Sequence, residues 1–277
     1  RVGIAGYGVV GKTRHASIIK NTSYQVTTVS EKNKKVHSSI PDSIQIFEDY
    51  QSLIESAEID AIFISLPNQF AADASIRALK KGLHVFCEKP PAKTLTELQE
   101  VQKISLQYPS QRLMYGFNHR FHLSVEKAKS IIADKTLGRV INLRGVYGKS
   151  QMISFNQTDW RTKREDSGGG ILLDQGIHML DLFRYFSEDE FDCLSSYLTT
   201  SYWDIECEDN AFLTLKSKMS NIIATLHSSA TQWKHKFCLE MTFEEGYINL
   251  DGILSETRSY APETLIFGNK NFEDVDF

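Results

Sequence analysis

Over residues 1–118, short apolar runs alternate with stretches of helical spacing, and few architectures accept that rhythm. "RVGIAG", "YQVTTVS", "IQIF", "DAIFISLP", "LHVFCEKP" and "RLMYGFN" read as strands, several of them apolar throughout. Between them, "VVGKTRHASIIK", "DYQSLIESA", "FAADASIRALKKG" and "TLTELQEVQKISLQY" carry apolar residues at helical intervals. Pro67 stops one strand, and Gly82 marks the end of a helix. Strands and helices of these lengths in alternation predict a parallel sheet covered on both faces.

The rhythm changes after Asn118. A helix, "SVEKAKSIIADK", leads to a strand, "RVINLRGVYG", and then to a long polar loop from about Lys149 to Ser167. A helix containing Asp174 and His178 follows. From Cys193 onward the pattern is mostly strand, with short turns such as "EEGY". The fold class expected is therefore α/β: an N-terminal doubly wound parallel sheet over residues 1–118, then a C-terminal α+β domain over residues 119–277 on an open, mainly antiparallel sheet. A chain of 277 residues suits two such domains.

Composition narrows the function classes. The net charge of −4 is mild and argues against a nucleic-acid partner. No apolar run is long enough to cross a bilayer, so no membrane partner is expected. The opening "RVGIAGYG" reads as strand and turn rather than a signal peptide. Cys87, Cys193, Cys207 and Cys238 are scattered without metal-ligand spacing. They read as packed or half-packed thiols in a reducing cytoplasm, with no metal site.

"GYGVVG", Gly6 to Gly11, matches G-x-G-x-x-G directly after the first strand and at the start of the first helix. In that setting Gly6 allows the tight turn, Gly8 admits a pyrophosphate, and Gly11 lets helix and strand pack closely. Val9 and Val10 open the helix whose free amides would meet the phosphates. The setting favours a Rossmann dinucleotide site over a simple glycine turn between strand and helix. At the end of the second strand stands Glu31, a little beyond the usual spacing of about 20 residues. Its carboxylate suits the ribose hydroxyls of NAD. Lys32, Lys34 and Lys35 follow at once and suit the 2′-phosphate of NADP, although lysines in such a loop are most often simply solvated. The cofactor is thus NAD or NADP.

Two further places carry chemistry. "EKP" puts Glu88, Lys89 and Pro90 just past an apolar strand, where open parallel sheets bind ligands. Pro90 admits a cis bond, and the Lys89 ammonium suits a carbonyl or a developing alkoxide. In "SGGGILLDQGIHMLD", Asp174 and His178 lie one helical turn apart behind three glycines. The glycines suggest close approach of backbone to a ligand and a sharp entry into a helix, and an imidazole is suited to proton transfer near neutral pH. Alone, either residue reads as a cap or a satisfied core group. Asp181 is expected to line the same region or to cap a contact. Trp160 and Arg161 suit a sugar ring and an anionic group, or equally a loop packed on itself. One of His119 and His122, which flank Arg120, could reach the cleft, but surface helix positions are the expectation, and "LHSSATQWKHKF" alternates like a strand.

"GYGVVG", "LPN", "EKP", "NHR" and "GGGILLDQGIHMLD", in that order, resemble the Gfo/Idh/MocA oxidoreductases from Arg1 to about residue 250. The resemblance implies an NAD- or NADP-dependent oxidoreductase acting on a secondary alcohol of a small-molecule sugar, polyol or cyclitol, or of a nucleotide-linked sugar. It also implies a homo-oligomer, dimer or tetramer, formed through the C-terminal sheet. It places Lys89, Asp174 and His178 in catalysis, and Leu66, Pro67, Asn68, Glu88 and Asn118 beside the cofactor. Arg120 joins Trp160 and Arg161 as a substrate contact. Ala71 stands where many members carry histidine, Glu31 replaces a commoner aspartate, and the family pattern continues into further helix past Phe277. Rival readings within the same fold are a dinucleotide-sensing regulator without turnover and a cofactor-recycling glycosidase or transferase.

Overall fold

The computed structural model describes residues 1–150, 159–253, 262–271 and 274–276. It forms two units, one of residues 1–116 together with 165–168, the other of residues 117–164 and 169–277.

The first unit alternates β1 (Val2–Ala5), α1 (Val9–Ile18), β2 (Val26–Ser30), α2 (Lys34–His37), β3 (Gln45–Phe47), α3 (Tyr50–Ser56), β4 (Ala61–Ile64), α4 (Asn68–Lys80), β5 (His84–Cys87), α5 (Leu95–Gln107) and β6 (Leu113–Tyr115). The six strands form one parallel sheet in the order β3-β2-β1-β4-β5-β6. Strands fully buried on this sheet need apolar side chains on both faces, which is why β1 reads as an unbroken apolar run. Helix starts follow local chemistry. Asp49 accepts from Ser52 N at 2.7 Å, and Thr94 accepts from Glu97 N at 3.2 Å. Lys34 and Lys35 lie in the short α2, capped by Asn33. Helix α4 gives way at Gly82, whose φ is +87°.

The second unit opens with a 3-10 turn (Asn118–Phe121) and continues with α6 (Leu123–Ala133) and β7 (Val140–Gly148). The polar loop expected from about Lys149 to Ser167 is only partly loop. Residues 151–158 lie outside the described residues, and Asp159–Thr162 form a second 3-10 turn. The short α7 (Arg164–Ser167) follows, its last three residues belonging to the first unit. A π-helical turn (Leu172–Gly176) then runs into α8 (Ile177–Ser187).

The rest is strand: β8 (Phe191–Thr199), β9 (Asn210–Ser217), β10 (Ile223–Ser229), β11 (Lys236–Phe243), β12 (Gly246–Asp251), β13 (Thr264–Asn269) and β14 (Asp274–Asp276). They join β7 in the order β14-β13-β12-β11-β7-β10-β9-β8. The sheet is antiparallel except where β7 and β10 run parallel. "LHSSATQWKHKF" is therefore not one strand. It ends β10, turns through residues 230–235 and begins β11. One sheet face carries the core, in which Tyr147, Leu143 and Phe237 join Met179, Leu182, Phe183 and Phe186 of α8 and Val125 and Ala128 of α6. Of the cysteines, Cys87, Cys207 and Cys238 are buried, whereas Cys193 on β8 is exposed rather than packed.

Candidate functional site

In the first unit, every loop singled out from the sequence lies at the carboxyl edge of the parallel sheet. The strand order reverses between β1 and β4, and ligands of such sheets bind at that point. The glycines of the first loop have different neighbours. Gly6 has φ +85°, and a Cβ there would lie 2.5 Å from the Ser65 carbonyl oxygen. A Cβ on Gly11 would lie 2.0 Å from the Gly6 carbonyl oxygen. A Cβ on Gly8 would meet no atom within 4 Å. Gly8 opens α1 with no side-chain cap, so the first helical amides are available to an anion, and Val9 beside them is 64% exposed. The open space over Gly8 and those amides fit a dinucleotide pyrophosphate.

The loop is anchored on two sides. Buried Tyr7 gives its hydroxyl to His15 Nδ1. Burial raises the Tyr7 pKa and lowers that of His15, which keeps the pair a neutral donor and acceptor. Tyr7 N donates to Glu31 Oε2 at 3.0 Å, and Asn33 N donates to Glu31 Oε1 at 2.8 Å. Glu31 thereby ties the end of β2 to the glycine loop. Lys34 lies 3.6 Å from Glu48, and the Lys32 ammonium lies 5.6 Å from the Phe70 ring centroid.

Pro67 leads into α4, and buried Asn68 donates to the Ser167 carbonyl at 2.8 Å. Leu66 is partly buried on the same core. Ala71 lies in the apolar core of the unit, where a methyl fits and an imidazole would need a partner. Past β5, Glu88 N continues the ladder to the Ile64 carbonyl at 2.9 Å, and the Lys89–Pro90 peptide is cis. The Glu88 carboxylate is held by Arg14 of α1, with Nε–Oε1 at 2.6 Å and Nη2–Oε1 at 2.5 Å. Its other oxygen lies against Gly116, where a Cβ would come within 2.7 Å. Nothing in the sequence near Arg14 marks this contact.

In the second unit, the glycine run makes the sharp helix entry expected of it. A Cβ on Gly170 would lie 2.1 Å from the Glu208 carbonyl oxygen and 2.8 Å from its nitrogen. Buried Glu208 also turns its carboxylate onto the chain, accepting from Gly170 N at 2.8 Å and Leu172 N at 3.2 Å. At Gly170 the close approach is thus protein on protein, a capped and tightly packed helix entry. Gly168, in the first unit, has φ +82° and would clash with the Lys93 carbonyl.

Asp174 lies in the π turn, not on a regular α-helical face with His178. It accepts from Lys149 Nζ at 2.7 Å and from Gln175 Nε2 at 3.1 Å. His178 is 3% exposed, and its ring stacks on His119 with centroids 3.9 Å apart and planes 20° apart. Phe117 meets His178 edge-on at 6.2 Å.

His119 is therefore not at the surface. It is 1% exposed, 3.2 Å from Tyr147 Oη through Nε2 and 3.3 Å from Asn118 Oδ1 through Nδ1. His122 is partly buried and bound to Glu263 at 2.9 Å. Arg120 makes a two-point ion pair with buried Asp181, at 2.7 and 2.5 Å, and the hydrogen bonds to Asp181 raise its pKa further. The guanidinium of Arg161 stacks on Trp160 at 4.4 Å. Sequence reasoning missed Lys149, Tyr147 and Arg14, and misplaced His119.

A six-stranded parallel sheet with an uncapped glycine turn at its switch point defines an NAD-binding Rossmann unit. Comparison with known proteins names the family. Residues 1–117 match the model of the oxidoreductase family with NAD-binding Rossmann fold, and residues 125–249 match the GFO/IDH/MocA C-terminal domain. The chain belongs to the Gfo/Idh/MocA oxidoreductase family. It is 31% identical over 153 residues to levoglucosan dehydrogenase of Pseudarthrobacter phenanthrenivorans, covering 55% of this chain and 39% of that protein. It is 29% identical over 191 residues to D-glucoside 3-dehydrogenase of Escherichia coli, covering 67% and 53% respectively. These curated relatives are thus considerably longer than the matched part. Among solved structures, myo-inositol 2-dehydrogenase from Lactobacillus plantarum superposes with a TM-score of 0.80 at 26% identity, covering 90% of this chain and 75% of that one.

Proposed function

We propose that the chain is an NAD(P)-dependent dehydrogenase or reductase acting on a secondary alcohol or ketone of a sugar, cyclitol or nucleotide-linked sugar. The observation that carries the reading is Gly8, a glycine with open space above it between two glycines pressed against backbone. The relatives, a levoglucosan, a glucoside and an inositol dehydrogenase, support the substrate class. The bound nicotinamide supplies the hydride acceptor or donor. Lys89 stabilises the substrate oxygen as its charge develops. His178 takes the hydroxyl proton, a role that general-base catalysis rewards by roughly 10²–10⁴-fold. Asp174, with its charge balanced by Lys149, orients a substrate hydroxyl. Arg161 and Trp160 present one stacked surface to the sugar, and Arg120 contributes the Nη1 edge left over by Asp181. Glu31, fixed by two amides, favours NAD over NADP, while Lys34 is turned to Glu48. The enzyme acts in the cytoplasm.

The test mixes the protein with NAD or NADP and a panel of levoglucosan, methyl glucoside, glucose 6-phosphate, myo-inositol and a UDP-sugar, and follows reduced-nicotinamide absorbance. Turnover with NAD on at least one member is expected. Lys89→Met should abolish it while dinucleotide affinity stays within about threefold, and His178→Ala should slow it by about 100-fold. Tight dinucleotide binding without net reduction on any member, or an unchanged rate in His178→Ala, contradicts the reading.

A further inference from the structure

Two buried imidazoles face to face are costly unless their charge is managed. Placing positive charge on both rings, 3.9 Å apart and away from water, opposes itself. The partners of His119 determine which ring stays neutral. The Asn118 amide oxygen can only accept, so His119 Nδ1 carries the hydrogen at 3.3 Å. Nε2 then accepts from the Tyr147 hydroxyl at 3.2 Å. Tyr147 is fully buried and packed edge-on to Phe237 at 5.2 Å. Both nitrogens of His119 thus have an uncharged hydrogen-bond partner, and His178 lies on the face of the ring.

We propose that His119 is a positioning residue of the reaction: a neutral Nδ1–H imidazole, locked by Asn118 and Tyr147, whose plane holds the His178 ring in one orientation. This inference rests on the reading of His178 as proton acceptor. A flat, uncharged aromatic face restrains the tilt of the catalytic ring and tolerates the charge His178 gains, since a cation over a π face is attracted to it. Stacking acts through the ring face rather than through the ring nitrogens.

The test has two arms. In the first, nitrogen-detected NMR of imidazole-labelled protein at neutral pH reads the His119 tautomer. Nδ1 protonated and Nε2 unprotonated is expected, with Tyr147→Phe removing the signature at Nε2 and His119→Ala moving the ring-proton resonances of His178. A protonated Nε2, a mixed tautomer, or His178 resonances unmoved in His119→Ala overturns the proposal whatever the enzyme turns over.

In the second arm, kcat and KM are measured with the panel alcohol that best reduces NAD. His119→Ala should lower kcat by about 10- to 100-fold, the scale of a misplaced catalytic group, with NAD affinity by fluorescence unchanged. His119→Phe, which keeps the flat face and folds if the alanine variant does not, should stay within about threefold of the parent in kcat. Equal loss in both variants, or loss in neither, overturns the proposal. If His178→Ala retains full turnover, the functional reading fails instead, and the tautomer arm still decides the stacking claim.

Discussion

At the scale of single residues, what surrounds a glycine separates architecture from binding. Gly6 and Gly11 are forced by the chain itself, because a methyl group at either would strike a carbonyl oxygen. Gly8 is forced by nothing in the protein, so its selection points outward, to a group that is not polypeptide. Gly8→Ala should therefore leave the melting temperature within about 2 °C, because surface substitutions away from special features stay within about 0.5 kcal/mol. The same change should weaken NAD binding, read by protein fluorescence, by at least about tenfold. An alanine variant that binds NAD as the parent does would remove the pyrophosphate from this turn. The same contrast explains what the sequence made legible. The G-x-G-x-x-G spacing is local, and its strand-turn-helix setting can be read in a dozen residues. Arg14 and Glu88 are 74 positions apart, and His119 meets His178 across the length of a domain core, so no window of sequence contains either contact.

At the scale of elements, the alternation of strands and helices was readable because burial on a sheet imposes period and length together. The π turn at Leu172–Gly176 was not, because an Asp and a His four apart look alike in α and π geometry until the hydrogen bonds are known. Nor was the parallel β7–β10 pairing, which joins strands distant in sequence. The entry to this turn is held by Glu208, which packs its backbone under Gly170 and caps the turn with its carboxylate. Gly170→Ala should consequently cost about 1–3 kcal/mol through overpacking against backbone that cannot rotate away. Gly169→Ala, whose Cβ would meet the Leu173 side chain at 3.3 Å, needs a small shift only and should cost less than about 1 kcal/mol. Urea unfolding of the two variants measures the difference. Equal stability would mean that the glycine run serves a ligand after all.

At the scale of the whole molecule, one sheet face of the second unit carries exposed apolar side chains among the described residues. α6 and α8 bury the other face, whereas the outer one carries a row in register across four strands: Tyr197, Phe212, His227 and Val146. Tyr197 is 72% and Phe212 45% exposed, and the Phe212 ring stacks on His227 at 4.1 Å. Ile223 on β10, in register on the same face, adds exposed apolar surface. Contiguous exposed apolar rows and edge strands of this kind invite pairing. The row is flanked on the same face by the Arg144–Glu240 ion pair and Lys216, and we propose that a second copy of the chain, in a closed dimer or tetramer, covers it. Light scattering after size exclusion should give a multiple of the 31.5 kDa chain mass. The double variant Tyr197→Asp with Phe212→Asp should give the monomer, with far-ultraviolet circular dichroism unchanged because both side chains point away from the core. A parent protein that elutes as a monomer across the micromolar range, or a double variant that stays assembled, would move the interface elsewhere and leave the exposed row to a partner of different chemistry.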